Sequence, residues 1–142
     1  MKTISIKQVL ALTFALLASQ AQAEFAVIVS ASNQHDNLDK TAITRIFLGK
    51  ASSFPDGSKA IPVDQTEGTA GREAFNSKVL EKSPSQLKAY WSRLIFTGKG
   101  TPPQESGGDS EVKGLVANNP NLIGYIDASM VDDSVKVVYR IQ

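Results

Sequence analysis

The sequence predicts a single α/β domain in which helices flank a mixed sheet. Short apolar stretches rich in β-branched residues recur at 25–29, 60–64, 122–126 and 135–141. Segments with apolar residues at helical spacing fall between them. The 42% hydrophobic and 20% charged content of the 142 residues suffices for one core, but not for two lobes that each have their own.

The first 23 residues read as an export signal and are set apart from the fold. Lys2 and Lys7 supply a positive end, Val9 to Ala18 an apolar run, and Ala21-Gln22-Ala23 the small residues of a cleavage site. The run falls well short of the ~20 residues needed to span a bilayer. Cleavage after Ala23 would leave a periplasmic domain at 24–142.

Phe25 to Val29 is continuously apolar, as expected of a strand buried on both faces in a parallel sheet. Ile43, Ile46 and Phe47 recur at helical spacing, with Asp39 or Asn37 as cap and Gly49 at the C-terminal stop, so the first helix is expected over 39–48. Pro55-Asp56-Gly57-Ser58 is a turn. Ala60 to Asp64 follows as a second strand, and its Pro62 argues for an edge position or a strand start. A second helix begins near Thr69 and carries Ala74, Phe75, Val79 and Leu80 on one side.

Ser83-Pro84-Ser85-Gln86 has the capping-box arrangement, with Leu87, Tyr90, Trp91, Leu94 and Ile95 forming one apolar stripe behind it. This is the strongest helix signal in the chain. Residues 97–110 read as a loop, Val112, Leu115 and Val116 as a short helix stopped by Asn118-Asn119-Pro120, and 122–126 and 135–141 as strands. Ile46 to Lys50 and Ile95 to Lys99 look alike at a separation of 49, but their flanks differ, so they read as two similar helix ends.

Composition excludes several classes. Lys+Arg 15 against Asp+Glu 14 gives a formal charge of +1, and loss of Lys2 and Lys7 makes it −1, so nucleic acid is not an expected partner. The lack of cysteine removes disulfides and thiolate chemistry. The lone His35, beside Asp36, reads as a solvated loop residue. Asp132-Asp133 has no EF-hand companions, and neither a nucleophile elbow nor a phosphate-binding P-loop is present. No catalytic residue, metal ligand or cofactor is expected.

The segment between the second strand and second helix is the candidate site. Gln65, Thr66, Gly68, Thr69, Ala70 and Gly71 form a small-residue loop at a helix N-terminus, where unpaired amides and the helix dipole favour an anion. Arg72 in the first turn would add a forked cation, while Glu67 would oppose it. Ser32 and Asn33, after the first strand, are candidate opposing polar groups.

Ile46 to Lys50, Pro55-Asp56-Gly57, Ile61 to Asp64, Gly68 to Phe75 and Leu122 to Ile126, in that order, resemble blocks of phosphate-transporter substrate-binding proteins of the type 2 periplasmic-binding-protein superfamily. The likeness is to small single-domain exported members and runs from about 43 to 126. It implies a periplasmic-binding-protein type 2-like domain and, for the full-length family, capture of phosphate between two lobes for delivery to an ABC permease. In that family an Arg followed by Asp-Gly-Ser-Gly-Thr grips the oxyanion. Here Gln65 stands where the Arg would be, and Glu67 to Gly71 replaces the run.

The expected function is that of an exported, non-enzymatic solute-binding protein taking phosphate or a related oxyanion. An anion held by one lobe stays partly solvated unless an ABC permease, another membrane protein or a second copy in a homodimer closes over it. The alternative is a ligand-free interaction module of the same fold that partners a membrane sensor, permease or envelope structure.

Overall fold

A computed structural model describes residues 23–142, and the expected signal at 1–22 lies outside the described residues. Strands β1 (Phe25–Ser30), β2 (Ile61–Asp64), β3 (Gln104–Glu105), β4 (Leu122–Asp127) and β5 (Val135–Ile141) form one sheet in the order β3-β2-β4-β1-β5. Helices α1 (Lys40–Phe47), α2 (Ala70–Phe75), α3 (Pro84–Phe96) and α4 (Asp109–Ala117) connect them. The sheet is mixed: β2 runs parallel to β3 and β4, whereas β1 runs antiparallel to β4 and β5.

All six residues of β1 are buried, as its unbroken apolar stretch predicts, but both of its neighbours are antiparallel rather than parallel. Burial follows from cover on both faces rather than from strand direction. Val27 and Val29 pack with Phe47 of α1 and Phe75 of α2, while Ala26 and Ile28 pack with Val112 and Val116 of α4. Each of the valine, isoleucine and phenylalanine side chains contributes about 1.5–3 kcal/mol of apolar transfer energy. A run apolar at every position therefore specifies a central strand, not its orientation.

The local signals in the sequence are realised. Asp39 caps α1 by accepting from the Ala42 amide at 2.7 Å. At the head of α3, Ser83 Oγ accepts from the Gln86 amide at 3.2 Å, and Gln86 Oε1 accepts from the Ser83 amide at 2.9 Å. The two similar segments are the same helix stop. Gly49 and Gly98 have φ of 71° and 68°, and the following amides return to Arg45 O and Leu94 O at 2.8 Å each.

Four further features differ from the sequence reading. Residues 97–110 contain β3, which pairs with β2 only through Val63 and Asp64. This leaves β2 at Pro62 as an edge in practice. Next, α2 runs on through a π-helical turn, Asn76–Leu80, which ends where Glu81 adopts a left-handed conformation with φ 54°. Finally, α3 lies at the periphery: only Leu87 is buried, Tyr90, Trp91 and Leu94 are half-buried, and Phe96 is 91% exposed. His35 is not a solvated loop residue either, for its ring lies 5.0 Å from that of Phe54 and its side chain is 12% exposed.

Candidate functional site

Strand β2 delivers Asp64 and Gln65 to one end of the sheet, beneath the loop that leads into α2. Thr69 caps α2: its Oγ1 accepts from the Arg72 amide at 3.3 Å and donates to Thr66 O at 3.0 Å. The Thr69 amide donates to Thr66 O, and the Thr66 amide to Gly107 O. The amides of Ala70 and Gly71 have no acceptor among the described residues, as expected for the first positions of a helix. Ala70 and Gly68 are exposed, whereas Gly71 is buried.

Gln65 does not face the loop's open side. It is 1% exposed, and its Nε2 donates to Asp109 Oδ1 at 2.8 Å and to Tyr125 O at 2.9 Å. Asp109 Oδ1 also accepts from the Asp127 amide at 3.0 Å. One buried amide thus ties the ends of β2 and β4 to the first residue of α4. Gly71 sits directly on it, since a Cβ there would lie 2.8 Å from Gln65 Oε1. The Gln65 side chain is therefore spent on internal hydrogen bonds and is directed away from the loop's open side.

Arg72 is not a free cation. Its Nη1 donates to Gln65 O at 3.1 Å and to the Glu105 carboxylate of β3, while Nη2 lies 3.9 Å from Asp64 Oδ2. Its Nε is buried without a partner. Burial works against the guanidinium charge, but Asp64 and Glu105 outweigh it and hold the pKa above its ordinary value. Asp64 in turn accepts from the Tyr125 hydroxyl and from the Gln65 amide at 3.1 Å. Burial pushes the Asp64 carboxyl above the usual carboxylate range, opposed by the Tyr125 hydrogen bond and by Arg72. Burial and the adjacent Asp64 keep the Tyr125 phenol protonated. Its ring stacks on Phe75 at 4.2 Å and 5°, anchoring the network to the core.

Ser32 and Asn33 are at the opposite end of the sheet. Asn33 Nδ2 donates to Pro120 O at 2.9 Å, its Oδ1 accepts from the His35 amide at 2.8 Å, and Ser32 Oγ lies 2.9 Å from Ser30 Oγ. Helix α4 measures the separation: its first residue, Asp109, meets Gln65, and its last, Ala117, accepts from Ser30 Oγ at 3.3 Å. Nine residues of helix place them about 12 Å apart. Because β1 is antiparallel to β4, its end points away from the α2 loop, and the two residues do not oppose that loop within this chain.

The loop opens onto a groove of about 1130 Å³ between α2, its π-turn and α3. Gly68 and Arg72 line its near end and Trp91 its α3 wall. Asp64, Tyr125, Glu105 and Asp109 hold Gln65 and Arg72 beneath the loop, and the sequence reading does not single them out for this. Asp64 and Tyr125 lie in the strand blocks that carry the family resemblance, but Glu105 has no local signal because it sits in what reads as loop.

This order of strands and helices defines a periplasmic-binding-protein type 2-like α/β domain. Among solved structures, the chain is similar to one described as a phosphate ABC transporter substrate-binding protein with bound phosphate from Clostridium perfringens, at 29% identity and a TM-score of 0.65, covering 82% of this chain and 45% of that one. An ABC-type phosphate transport receptor from Vibrio cholerae matches at 21% identity and TM-score 0.65, over 85% of this chain and 51% of the receptor. PstS from Borrelia burgdorferi matches at 11% identity and TM-score 0.59, over 96% and 54%. The last two likenesses show the fold alone. The chain spans about half the length of these solved relatives. No protein-family model matches the chain.

Proposed function

We propose that this chain is an exported, non-enzymatic solute-binding protein of the phosphate ABC transporter type, which takes a phosphate-class oxyanion at the loop from Thr66 to Arg72. The observation that carries the reading is the pair of unpartnered amides at Ala70 and Gly71, beside the exposed Gly68, in a chain 29% identical to a phosphate-bound structure. Amide donors at a helix start suit an oxyanion. Thr69 Oγ1 shapes the loop as its cap, and Arg72 holds the loop to β2 and β3 instead of supplying unpaired charge. Neutral donors, one on the exposed Ala70 and one on the buried Gly71, give a modest affinity, and an ABC permease or a second copy is the partner proposed to cover the seat. Isothermal titration of the purified protein with phosphate and sulfate tests the reading. Saturable heat with phosphate is expected, and absence of both heat and thermal shift at millimolar anion rejects it.

A second reading, a ligand-free interaction module, is favoured by one observation. Ile95 and Phe96 at the end of α3 are 54% and 91% exposed, although the helix carries the chain's clearest apolar stripe. Crosslinking in envelope extracts is expected, on this reading, to trap one membrane protein with the parent chain and to lose it with Phe96→Ser. Equal trapping by both would reject α3 as the contact.

A further inference from the structure

We infer that the exposed end of α3 docks on an anionic lipid surface, with Phe96 and Ile95 entering the interfacial layer and Lys88, Arg93 and Lys99 meeting the headgroup phosphates. The inference does not rest on what the α2 loop binds.

The register of α3 puts Phe96 outside. At 3.6 residues per turn, Phe96 lies about 180° round the helix from Leu87, nine positions earlier. Leu87 is buried, the Tyr90 hydroxyl donates to Leu48 O at 2.6 Å, and Trp91 lies against Gly49, where a Cβ would stand 3.4 Å from its Cη2. These contacts fix the inner side of the helix, which leaves Phe96 91% and Ile95 54% exposed. No rotation of α3 buries Phe96 without undoing them. Ser85, Ala89 and Ser92 share its face at helical spacing and are exposed as well, so the apolar surface is confined to the helix end.

Charge selects the partner. From Lys82 to Gln104 the chain carries Lys82, Lys88, Arg93 and Lys99 and no carboxylate, so all 14 Asp and Glu lie elsewhere. None of the four cations has a carboxylate partner among the described residues. The acids that bound the segment are already engaged: Glu81 pairs with Lys40, and Glu105 with Arg72. Lys88 and Arg93 flank the Phe96 face on opposite sides, about 80° and 60° from it, and Lys99 follows the Gly98 stop; all three are exposed. An apolar tip ringed by unpaired cations is complementary to a layer that sets anionic headgroups over an apolar interior. It is not complementary to itself. A second copy docked through the same helix would bring Lys88 and Arg93 against like charges. Two adjacent apolar side chains also fall short of the ~800 Å² per partner that a specific protein interface buries.

Co-sedimentation with vesicles tests this. Vesicles of phosphatidylglycerol and phosphatidylcholine in equal parts are expected to carry the purified protein down, and vesicles of phosphatidylcholine alone to leave it in solution. Raising the salt to molar strength should release it, since the Debye length then falls to about 3 Å. Phe96→Ser is expected to weaken binding about tenfold, as is the double variant Arg93→Gln with Lys99→Gln. Both act on exposed side chains, so thermal unfolding should match that of the parent chain and separate lost binding from lost fold. Failure to bind the anionic vesicles, or equal binding to both kinds, overturns the inference, as does binding that neither variant weakens. A membrane protein trapped by crosslinking through Phe96, in a chain that ignores the vesicles, would overturn it in favour of a protein partner.

Discussion

Arg72→Met is expected to lower the stability of the domain by about 2 kcal/mol near neutral pH. Breaking a fully buried ion pair by removing one partner costs about 3–5 kcal/mol. That figure is discounted here because the side chains of Arg72 and Asp64 are 20% and 12% exposed. The loss comes chiefly from Asp64, left beneath the loop with the Tyr125 hydroxyl and the Gln65 amide as its remaining partners. The pH dependence identifies the mechanism. Burial raises the Asp64 carboxyl in the folded state above its unfolded value of 3.8, and loss of Arg72 raises it further. A carboxyl raised on folding binds its proton more tightly in the native state, so its contribution is favourable below pH 3.8 and declines as pH rises through the folded value. Denaturant unfolding of the variant should therefore show a large deficit near neutrality that closes as pH approaches 3.8. Adding Asp64→Asn should recover most of it at neutral pH. A deficit of equal size at both pH values would show that Asp64 is not the group Arg72 stabilises.

Gly124→Val is expected to cost about 3 kcal/mol, near the upper end of what overpacking a core produces. A Cβ at Gly124 would lie 2.6 Å from Val112 Cγ1 and 3.3 Å from Val116 Cγ2. Both valines are fully buried on α4, so neither can swing aside. The helix must lift from the sheet, carrying with it Asp109, the residue that fixes Gln65 under the α2 loop. Thermal unfolding and hydrogen exchange at the Gln65 amide together check this: stability and loop protection should fall in step. Gly114→Ala serves as the internal comparison, because a Cβ there meets nothing within 4 Å. In mid-helix that change is expected to stabilise by about 0.5–1 kcal/mol. Undiminished stability in Gly124→Val would mean that α4 is not seated against β4 as described.

The parts of this fold that could be read from sequence are those decided by neighbours within a few positions. Asp39, Thr69 and Ser83 cap helices because a short side-chain oxygen meets an amide three residues on, and Gly49 and Gly98 stop two of them for equally local reasons. Partner choice across the sheet is not local. The apolar run of β1 reports cover on both faces, and only the full topology shows that both neighbours are antiparallel. The candidate site divides in the same way. The loop at Thr66–Arg72 was visible as small residues before a helix, whereas the inward turn of Gln65 depends on Asp109 and Tyr125, more than forty positions distant. Glu105 likewise meets Arg72 only because β3 pairs with β2. Ser32 and Asn33 looked suitable by residue type, but the direction of β1 sends them to the far end.

The brevity of β3 has one further consequence. Beyond Val63 and Asp64 the flank of β2 is uncovered, and the residue standing there is Pro62, which has no amide hydrogen to offer. At the opposite margin, β5 carries Lys136 and Arg140 and is kinked by a register shift against β1 between Val27 and Ile28. A missing donor on one side, and cations with a distorted ladder on the other, deny an incoming strand the regular template from which fibrils and insoluble clumps would grow.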